Sequence, residues 1–463
     1  MRAFPRSAAA GALAALVLGA CTFSRDMTVR SHLLMKPLPQ GWVNSFNLEE
    51  RLKLGYIPEV TAFLANTADK GIERTRTLKI LGQALVEKGD ARTALPFLER
   101  AFAEEGRFSE RGQVAWLLAQ AYYWLDDFAE SARWVDVARS HGLILPDGWL
   151  AFLRSAGPEP IYGGAVAGTR INELMAFARP RVPRVTVKVN DVESEQMVFD
   201  TGASISLLTA SAAKRLGIDL VPGATAGAYG LHRVEIEMGF GWAKSVRIGN
   251  ATLTHVPFGI LPDGALTFGS EASGQVRFDG VLGADLLKEF DWSLRYQERR
   301  ILGVRLEKGL RRGSPDQNLF FRRLKPMVRA SLNQTPWFLF LLDTGSEPTI
   351  VTRSGLMRAP TKGSEASYPM TLEGIGKSRV SWGKLSNVTV GVEKYMVQFA
   401  DIVVKEDAEG LEDGILGSSF LANFDVTIRF STMTVSLERP LDRFLRSQEL
   451  QETSAPIVPP SLF

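Results

Sequence analysis

The tripeptide Asp-Thr-Gly occurs twice in this chain, and each copy follows a run of apolar residues. The first copy is Asp200-Thr201-Gly202, and the second is Asp343-Thr344-Gly345. Short apolar runs of this kind predict buried strands. A carboxylate at the end of a buried strand costs free energy unless it is paired or hydrogen-bonded. The duplication therefore predicts two similar halves, each of which places one acid where chemistry can use it.

A second motif follows each copy. It reads Asp279-Gly280-Val281-Leu282-Gly283 in the first half and Asp413-Gly414-Ile415-Leu416-Gly417 in the second. From Val185 onward, apolar and polar residues alternate, which is typical of half-buried strands. We interpret residues 184–310 and 311–440 as two related lobes of an all-β fold.

These paired motifs resemble those of aspartic proteases of the pepsin and retropepsin type, over about Pro180 to Pro440. The resemblance implies a bilobal fold with barrel-like lobes in which Asp200 and Asp343 form one catalytic pair. Carboxyl pairs that share one proton are the known chemistry of that family. The ionised acid takes a proton from a water molecule, and the protonated acid donates to the substrate carbonyl oxygen. We expect neither a metal nor a cofactor.

The residues beside the two acids are expected to build the active-site loops. They are Thr201, Gly202, Ala203, Ser204, Thr344, Gly345 and Ser346. In the family, the two threonines hydrogen-bond across the lobe interface. The glycine of each motif tolerates backbone dihedrals that other residues avoid. Gly283 and Gly417 are expected to let the downstream segment pass closely behind each loop.

The two loops differ at two positions. Ala203 in the first corresponds to Ser346 in the second. Because a serine hydroxyl is able to hydrogen-bond the neighbouring acid, we expect the two acids to titrate unequally. Ser204 corresponds to Glu347, whose carboxylate either raises a nearby pKa or points to solvent.

A flap over the cleft is expected from the resemblance. Tyr229-Gly230 is the candidate in the first lobe, because pepsin-like flaps often carry Tyr-Gly, and an ordinary hairpin turn is the alternative. Gly374 and Gly376 are the corresponding glycines of the second lobe. Asp279 and Asp413 are expected to have structural roles in turns and no catalytic role.

Residues 1–20 resemble the signal peptide of a bacterial lipoprotein. Arg2 and Arg6 precede a short apolar run, and Cys21 stands at the lipidation position. The resemblance implies a lipid-anchored, periplasm-facing protein of the bacterial cell envelope, and Thr22 favours the outer membrane. An ordinary cleaved signal peptide is the alternative. Because Cys21 is the only cysteine, no disulfide is expected.

A tether at 21–46 leads into a helical pattern at 47–156. Within it, the stretch from Leu81 to Ala101 matches the stretch from Leu118 to Ala138, which resembles tetratricopeptide repeats. The resemblance implies a module that binds the substrate or a protein partner. Four aromatic side chains either contact such a partner or pack in the helix core: Trp116, Tyr122, Tyr123 and Trp134.

The remaining segments are connections. Residues 157–183 contain several Gly and Pro and are interpreted as a linker, with a short helix expected from Asn172 to Ala178. The polar, Pro-rich residues 441–463 are expected to be disordered. The net charge of +3 gives no support for nucleic-acid binding, and the 4 histidines have no metal-site spacing.

The sequence therefore favours an envelope aspartic endopeptidase that acts on a protein or peptide substrate. Because both Asp-Thr-Gly motifs lie in one chain, we expect a monomeric active site. Dimerisation, as in retropepsins, is the alternative assembly. The alternative function is a non-catalytic lipoprotein scaffold that retains the protease fold.

Overall fold

A helical region precedes two β lobes in the computed structural model of the chain. The model describes residues 29–31, 43–65, 74–177, 182–229, 235–268, 275–308, 314, 316–359, 365–367, 383–406 and 412–442. The signal peptide, Cys21, most of the predicted tether, Gly230, the glycines at 374 and 376 and most of the predicted tail lie outside these residues. Within the described part, no helix is both long and apolar enough to cross a membrane.

The helical region is built from helix pairs. The elements from the N-terminus are β1 (Val29–Ser31), α1 (Leu48–Lys53), α2 (Ile57–Ala65), α3 (Arg74–Glu87), α4 (Ala91–Glu104), α5 (Phe108–Trp124), α6 (Phe128–Ser140) and α7 (Asp147–Arg154). Helix α3 packs on α4, and α5 packs on α6. A Cβ at Gly82 would lie 2.4 Å from Leu98 Cδ2, so the glycine lets α3 and α4 approach closely. At the equivalent place the C=O of Ala119 accepts from Ser131 Oγ at 2.9 Å. Gly82 and Ala119 thus both lie where the two helices of a pair approach each other, and membership of the tetratricopeptide family stays a prediction.

Lobe 1 is a β lobe with two short helices. Its elements are β2 (Gly163–Gly164), β3 (Arg170–Leu174), β4 (Arg184–Val189), β5 (Val192–Phe199), β6 (Leu207–Thr209), α8 (Ala210–Arg215), β7 (Leu220–Tyr229), β8 (Glu235–Ile248), β9 (Ala251–Leu261), β10 (Thr267–Phe268), β11 (Val276–Arg277), β12 (Gly280–Leu282), α9 (Ala284–Leu287), β13 (Phe290–Arg295) and β14 (Arg300–Arg305). An eight-stranded sheet runs in the order β2-β9-β6-β12-β5-β4-β8-β7. The predicted alternation is present in β4, where Val185, Val187 and Val189 are buried.

Lobe 2 repeats this plan. Its elements are β15 (Leu319–Arg322), β16 (Lys325–Leu332), β17 (Thr335–Leu342), β18 (Ile350–Thr352), α10 (Arg353–Arg358), β19 (Glu365–Ser367), β20 (Gly383–Val392), β21 (Tyr395–Lys405), β22 (Gly414–Leu416), α11 (Ser418–Leu421), β23 (Asp425–Arg429) and β24 (Thr434–Glu438). A nine-stranded sheet contains β16, β17, β22, β18 and β21 in equivalent places. Its edge strand is β1, which pairs with β21, so part of the predicted tether is a strand.

A five-stranded sheet joins the lobes, in the order β24-β23-β13-β14-β3. Its edge strand β3 lies inside the segment predicted as a linker at 157–183, so that prediction is incomplete. The short helix predicted from Asn172 to Ala178 is wrong, because Arg170–Leu174 pairs antiparallel with β14. Ile171 is buried at 2% exposure in this strand, and burial together with ladder hydrogen bonds outweighs the helical propensity of the segment.

Candidate active site

The backbones of both acids are fixed by the downstream motif of their own lobe. Strand β5 ends at Phe199 and lies parallel to β12, and the N–H of Asp200 donates to Leu282 O at 3.1 Å. In lobe 2, β17 lies parallel to β22, and the N–H of Asp343 donates to Leu416 O, also at 3.1 Å. The hydrophobic segments before Gly283 and Gly417 therefore fix the backbone position of each acid at the end of its strand.

Two threonines bind the loops to each other. The Thr201 hydroxyl donates to Leu342 O at 2.5 Å, and the Thr344 hydroxyl donates to Phe199 O at 2.6 Å. Each hydroxyl also accepts from the backbone N–H of the opposite threonine, at 3.0 and 3.1 Å. Both threonine side chains are fully buried. This reciprocal pattern holds the two lobes in one register and brings the two acids together.

The glycines of the motif leave room for the opposite acid. A Cβ on Gly202 would lie 2.4 Å from Asp343 Cγ, and a Cβ on Gly345 would lie 2.3 Å from Asp200 Cγ. Both distances are far shorter than a van der Waals contact, so any side chain at either position displaces a carboxyl group. The need for glycine here is the close approach between the loops, and the predicted reason is wrong, because neither glycine has a positive φ.

The two acids are buried and interact directly. Asp200 is 1% exposed and Asp343 is 7% exposed. Burial raises the pKa of Asp343 well above its ordinary value, and the charge of Asp200 and the hydrogen bond between the two carboxyls raise it further. Burial also raises the pKa of Asp200, but the hydrogen bond from Asp343 and the N–H of Gly202 act in the opposite direction. That N–H donates to Asp200 Oδ1 at 2.7 Å.

The arrangement therefore favours a proton on Asp343 and a negative charge on Asp200. Asp343 Oδ1 is buried and has no hydrogen-bond partner among the described residues. Lys325, at the start of β16, lowers the pKa of both acids through its positive charge. Such a pair releases its protons in two coupled steps.

The predicted cause of the asymmetry is wrong. The Ser346 hydroxyl donates to Pro348 O at 2.9 Å, away from the acid. Ser346 acts on Asp343 through its backbone N–H, as Ala203 does on Asp200. Burial raises both pKa values, and the inequality comes from the contact between the acids: the charge of Asp200 and the hydrogen bond with it raise the pKa of Asp343, whereas the hydrogen bonds from Asp343 and Gly202 lower that of Asp200. Glu347 is half-buried.

The glycines of the downstream motif lie directly behind the loops. A Cβ on Gly283 would meet the backbone of Ile205 at 2.5 Å, and one on Gly417 would meet Pro348 O at 2.1 Å. The next residue in each lobe closes the contact, because Ala284 N donates to Ala203 O at 2.8 Å. Ser418 makes the equivalent bond to Ser346 O at the same distance.

Asp279 and Asp413 are held in structural hydrogen bonds away from the pair. Asp279 Oδ2 accepts from Ser194 Oγ at 2.7 Å and pairs with Arg215. Asp413 Oδ2 accepts from the N–H of Leu339 at 2.8 Å and pairs with Arg358.

The flap candidate is only partly described. Tyr229 ends β7 and is paired in register with Glu235 at the start of β8, and the residues between them lie outside the described part.

Ser204 is the last of the predicted loop residues in lobe 1, and its hydroxyl donates to Arg323 O of lobe 2 at 3.5 Å. Sequence reasoning missed both Lys325 and the Arg323 turn, which no repeated motif marks.

Sequence reasoning also missed a buried acid behind the Asp200 loop. Asp285 accepts from Ser206 Oγ at 2.8 Å and from Tyr162 Oη at 2.7 Å. Lobe 2 has Thr349 and Ser419 in the equivalent places, hydrogen-bonded at 2.9 Å. Extending the alignment of the two downstream glycines by two residues would have found this difference. The described residues contain no cluster of His, Cys, Asp or Glu suited to a metal ion.

Comparison with known proteins agrees with this geometry. The family model described as "Aspartyl protease" matches residues 185–286 and 328–420, one segment in each lobe. Each segment contains one Asp-Thr-Gly motif and one downstream glycine motif. Two lobes that share one pair of acids, together with this match, support an aspartic peptidase. No curated protein matches the chain significantly.

Two solved structures are similar to the chain at low identity. One is a retropepsin-like aspartic protease from Rickettsia conorii, with 21% identity and a TM-score of 0.20, over 30% of this chain and 92% of that chain. The other is an aspartic proteinase from Irpex lacteus, with 13% identity and a TM-score of 0.35, over 58% of this chain and 97% of that chain.

Proposed function

We propose that the protein is an aspartic endopeptidase whose catalytic pair is Asp200 and Asp343. The observation that carries the proposal is the close approach of two buried carboxyls, one from each lobe, each of which lies against the glycine of the opposite Asp-Thr-Gly loop. A structural role needs neither buried acid, and two such acids side by side are costly unless they share a proton.

The roles follow from the hydrogen bonds. Ionised Asp200, supported by the N–H of Gly202, accepts a proton from a water molecule that attacks the amide carbon. Protonated Asp343 donates its proton to the carbonyl oxygen. The tetrahedral intermediate then collapses: Asp200 gives the proton that it took from water to the leaving amine nitrogen, and Asp343 takes back the hydroxyl proton as the carbonyl forms again. The supporting residues hold the two acids in place and do not react.

Substitution of the acids tests this function. Asp200→Asn and Asp343→Asn are each expected to lower the rate of cleavage of denatured protein by about 10²- to 10⁴-fold. The double variant is expected to be no worse than the stronger single variant, because the two acids act as a unit. Fragments are measured by mass spectrometry from pH 3 to pH 8.

Asp191→Asn is the matched control. Asp191 lies exposed in the turn between β4 and β5 with φ of 65°, a conformation that asparagine also tolerates. It is expected to cleave at the wild-type rate. If the wild-type protein cleaves no substrate at any pH, the enzyme assignment fails and the non-catalytic scaffold becomes the better interpretation.

The location and assembly are part of the same proposal. A lipid anchor at Cys21 would place the peptidase at the envelope, facing the periplasm, and the helical region would hold a protein substrate or partner. Palmitate labelling of the wild-type protein and a Cys21→Ser variant tests the anchor. Because both acids come from one chain, we expect a monomeric active site. The activity per molecule is then constant on dilution, whereas an active site shared between two chains would lose activity.

A further inference from the structure

A cavity of about 730 Å³ lies between the helical region and lobe 2. That volume is within the range of small-molecule and side-chain binding sites in proteins. Helices α1, α3, α5 and α7 form one wall, and the turn from β15 to β16 forms the other. Its lining residues include Trp116, Leu117, Trp149, Phe321, Arg323 and Leu324.

The cavity walls are mainly apolar. Trp116, Leu117 and Trp149 are half-buried at its surface, and Phe321 packs below them from lobe 2. Charged side chains also line it, of which Glu87 and Arg322 form a largely buried ion pair. Because both signs are present there, the cavity is not suited to an anionic ligand such as phosphate. It is suited to large apolar or aromatic groups.

The turn from β15 to β16 links the cavity to the active-site loop of lobe 1. Arg323 and Leu324 line it, and the C=O of Arg323 accepts from Ser204 Oγ in the Asp200 loop. The next residue, Lys325, lowers the pKa of both acids. The turn that lines the cavity is therefore next to both the Asp200 loop and the acid pair.

Both walls are held firmly. Arg322 donates to Lys53 O at 2.9 Å and to Leu52 O at 2.8 Å, which fixes the end of α1 to lobe 2. On the other side, the Trp149 ring lies 5.7 Å from that of Phe240 in β8. The helical region is thereby joined to a strand of each lobe, β15 in lobe 2 and β8 in lobe 1.

We propose that the helical region supplies a substrate subsite, and that this cavity accepts a large apolar side chain at one fixed position relative to the scissile bond. The inference rests on the proposed peptidase function and concerns the part of the chain that supplies the subsite, namely the helical region.

Cleavage profiling tests the subsite. A peptide mixture from a digested proteome is incubated with wild type, Trp116→Ala and Leu117→Trp, and cleavage sites are read by mass spectrometry. Wild type is expected to favour large apolar residues at one position. Leu117→Trp fills the cavity and is expected to lower kcat/KM for those peptides by about 10- to 100-fold, with little change for peptides that carry a small residue there. Trp116→Ala is expected to broaden the preference.

The matched control is Tyr122→Ala on the same helix, outside the cavity, where Tyr122 donates to Glu99 at 3.1 Å. It is expected to keep the wild-type profile. Thermal unfolding shows which variants are folded. If Leu117→Trp does not fold, the cleavage profile of Trp116→Ala alone tests the subsite.

Three results overturn the inference. A profile unchanged in both cavity variants refutes the subsite while the peptidase function stands. A uniform change in kcat for all peptides indicates that a segment of the chain itself occupies the cavity. Absence of cleavage by wild type is distinct from both, since it refutes the peptidase function and the subsite with it.

Discussion

At the scale of single residues, the contact between the two lobes depends on the hydroxyl group of Thr201. It donates to Leu342 O and accepts from Thr344 N, and it has no access to water. We expect Thr201→Val to lower the free energy of unfolding by roughly 2–5 kcal/mol, because two buried backbone groups lose their partner. Activity should fall as well. Chemical denaturation and peptide cleavage measure the two effects.

Thr201→Ser is the matched control, since it keeps the hydroxyl and removes only a methyl group. It should retain most of the stability and activity. If Thr201→Val unfolds at the same denaturant concentration as Thr201→Ser, the hydroxyl bridge does not stabilise the loops.

The positive charge of Lys325 affects the pKa values of the two acids. Its charge lowers the pKa of both Asp200 and Asp343. Lys325→Met should therefore shift both limbs of the pH profile of kcat/KM to higher pH, because each carboxyl then holds its proton more tightly. Lys325→Arg keeps the charge and should leave the profile in place. A shift to lower pH in Lys325→Met would contradict the assigned effect of the charge.

For single residues, the sequence predicts which residues lie close together but not how each side chain is oriented. The repeated motif identifies Asp200 and Asp343, because it marks the end of a strand in each lobe. The Ser346 hydroxyl was predicted to contact its acid, but it donates to Pro348 O. Which nearby acceptor a hydroxyl chooses depends on the path of the following backbone, and no sequence pattern specifies that path.

At the scale of elements, the contact between the two loops depends on the absence of a side chain. Gly345→Ala would place a Cβ 2.3 Å from Asp200 Cγ, so the carboxyl must move by an ångström or more. Since a displacement of that size costs about 10²-fold in rate, we expect at least that loss in kcat/KM. Peptide cleavage gives the rate, and circular dichroism checks that the strands are intact.

Gly106→Ala is the control for this substitution. No atom lies within 4 Å of the Cβ that it would add, so both stability and activity should be unchanged. Wild-type activity in Gly345→Ala would show that the loops are further apart than described.

Strand β3 shows where element prediction from sequence fails. The segment 157–183 has the Gly and Pro content of a linker, yet Arg170–Leu174 completes the sheet that joins the lobes. The strand is short and pairs with a partner far away in the chain, so its stability comes from β14 and not from its own composition. The long alternating strands, by contrast, carry their own burial pattern and were predicted.

At the scale of the whole molecule, a buried ionic network joins the helices to lobe 1. Lys288, 2% exposed, donates to Asp126 at 2.6 Å and to Glu289 at 2.9 Å. Arg305 pairs with the same glutamate and donates to Tyr162 O at 2.8 Å. The sequence predicted a helical module followed by a linker at 157–183, without the contacts that the module makes with the lobes. The docking could not be predicted because each member of the network is a common residue whose partner is distant in the chain.

One acid beside this network makes stability depend on pH. Burial raises the pKa of Asp285 to about 6, against hydrogen bonds from Tyr162 and Ser206 that favour the charged form. Because the folded pKa exceeds the unfolded value, the folded state binds the proton more tightly. The contribution of Asp285 to stability is therefore complete below about pH 4 and is lost as the pH rises through about 6.

Asp285→Asn removes this titration and keeps one oxygen to accept a hydrogen bond. The variant is expected to be less stable than wild type at pH 4, where the acid is neutral and its hydrogen bonds are intact. Between pH 4 and pH 8 the difference in free energy of unfolding should move in favour of the variant by up to about 3 kcal/mol, at about 1.4 kcal/mol per pKa unit. Urea denaturation at several pH values measures it. The exposed Asp191→Asn should show no such trend, and a parallel pH dependence of wild type and Asp285→Asn would contradict the buried titration.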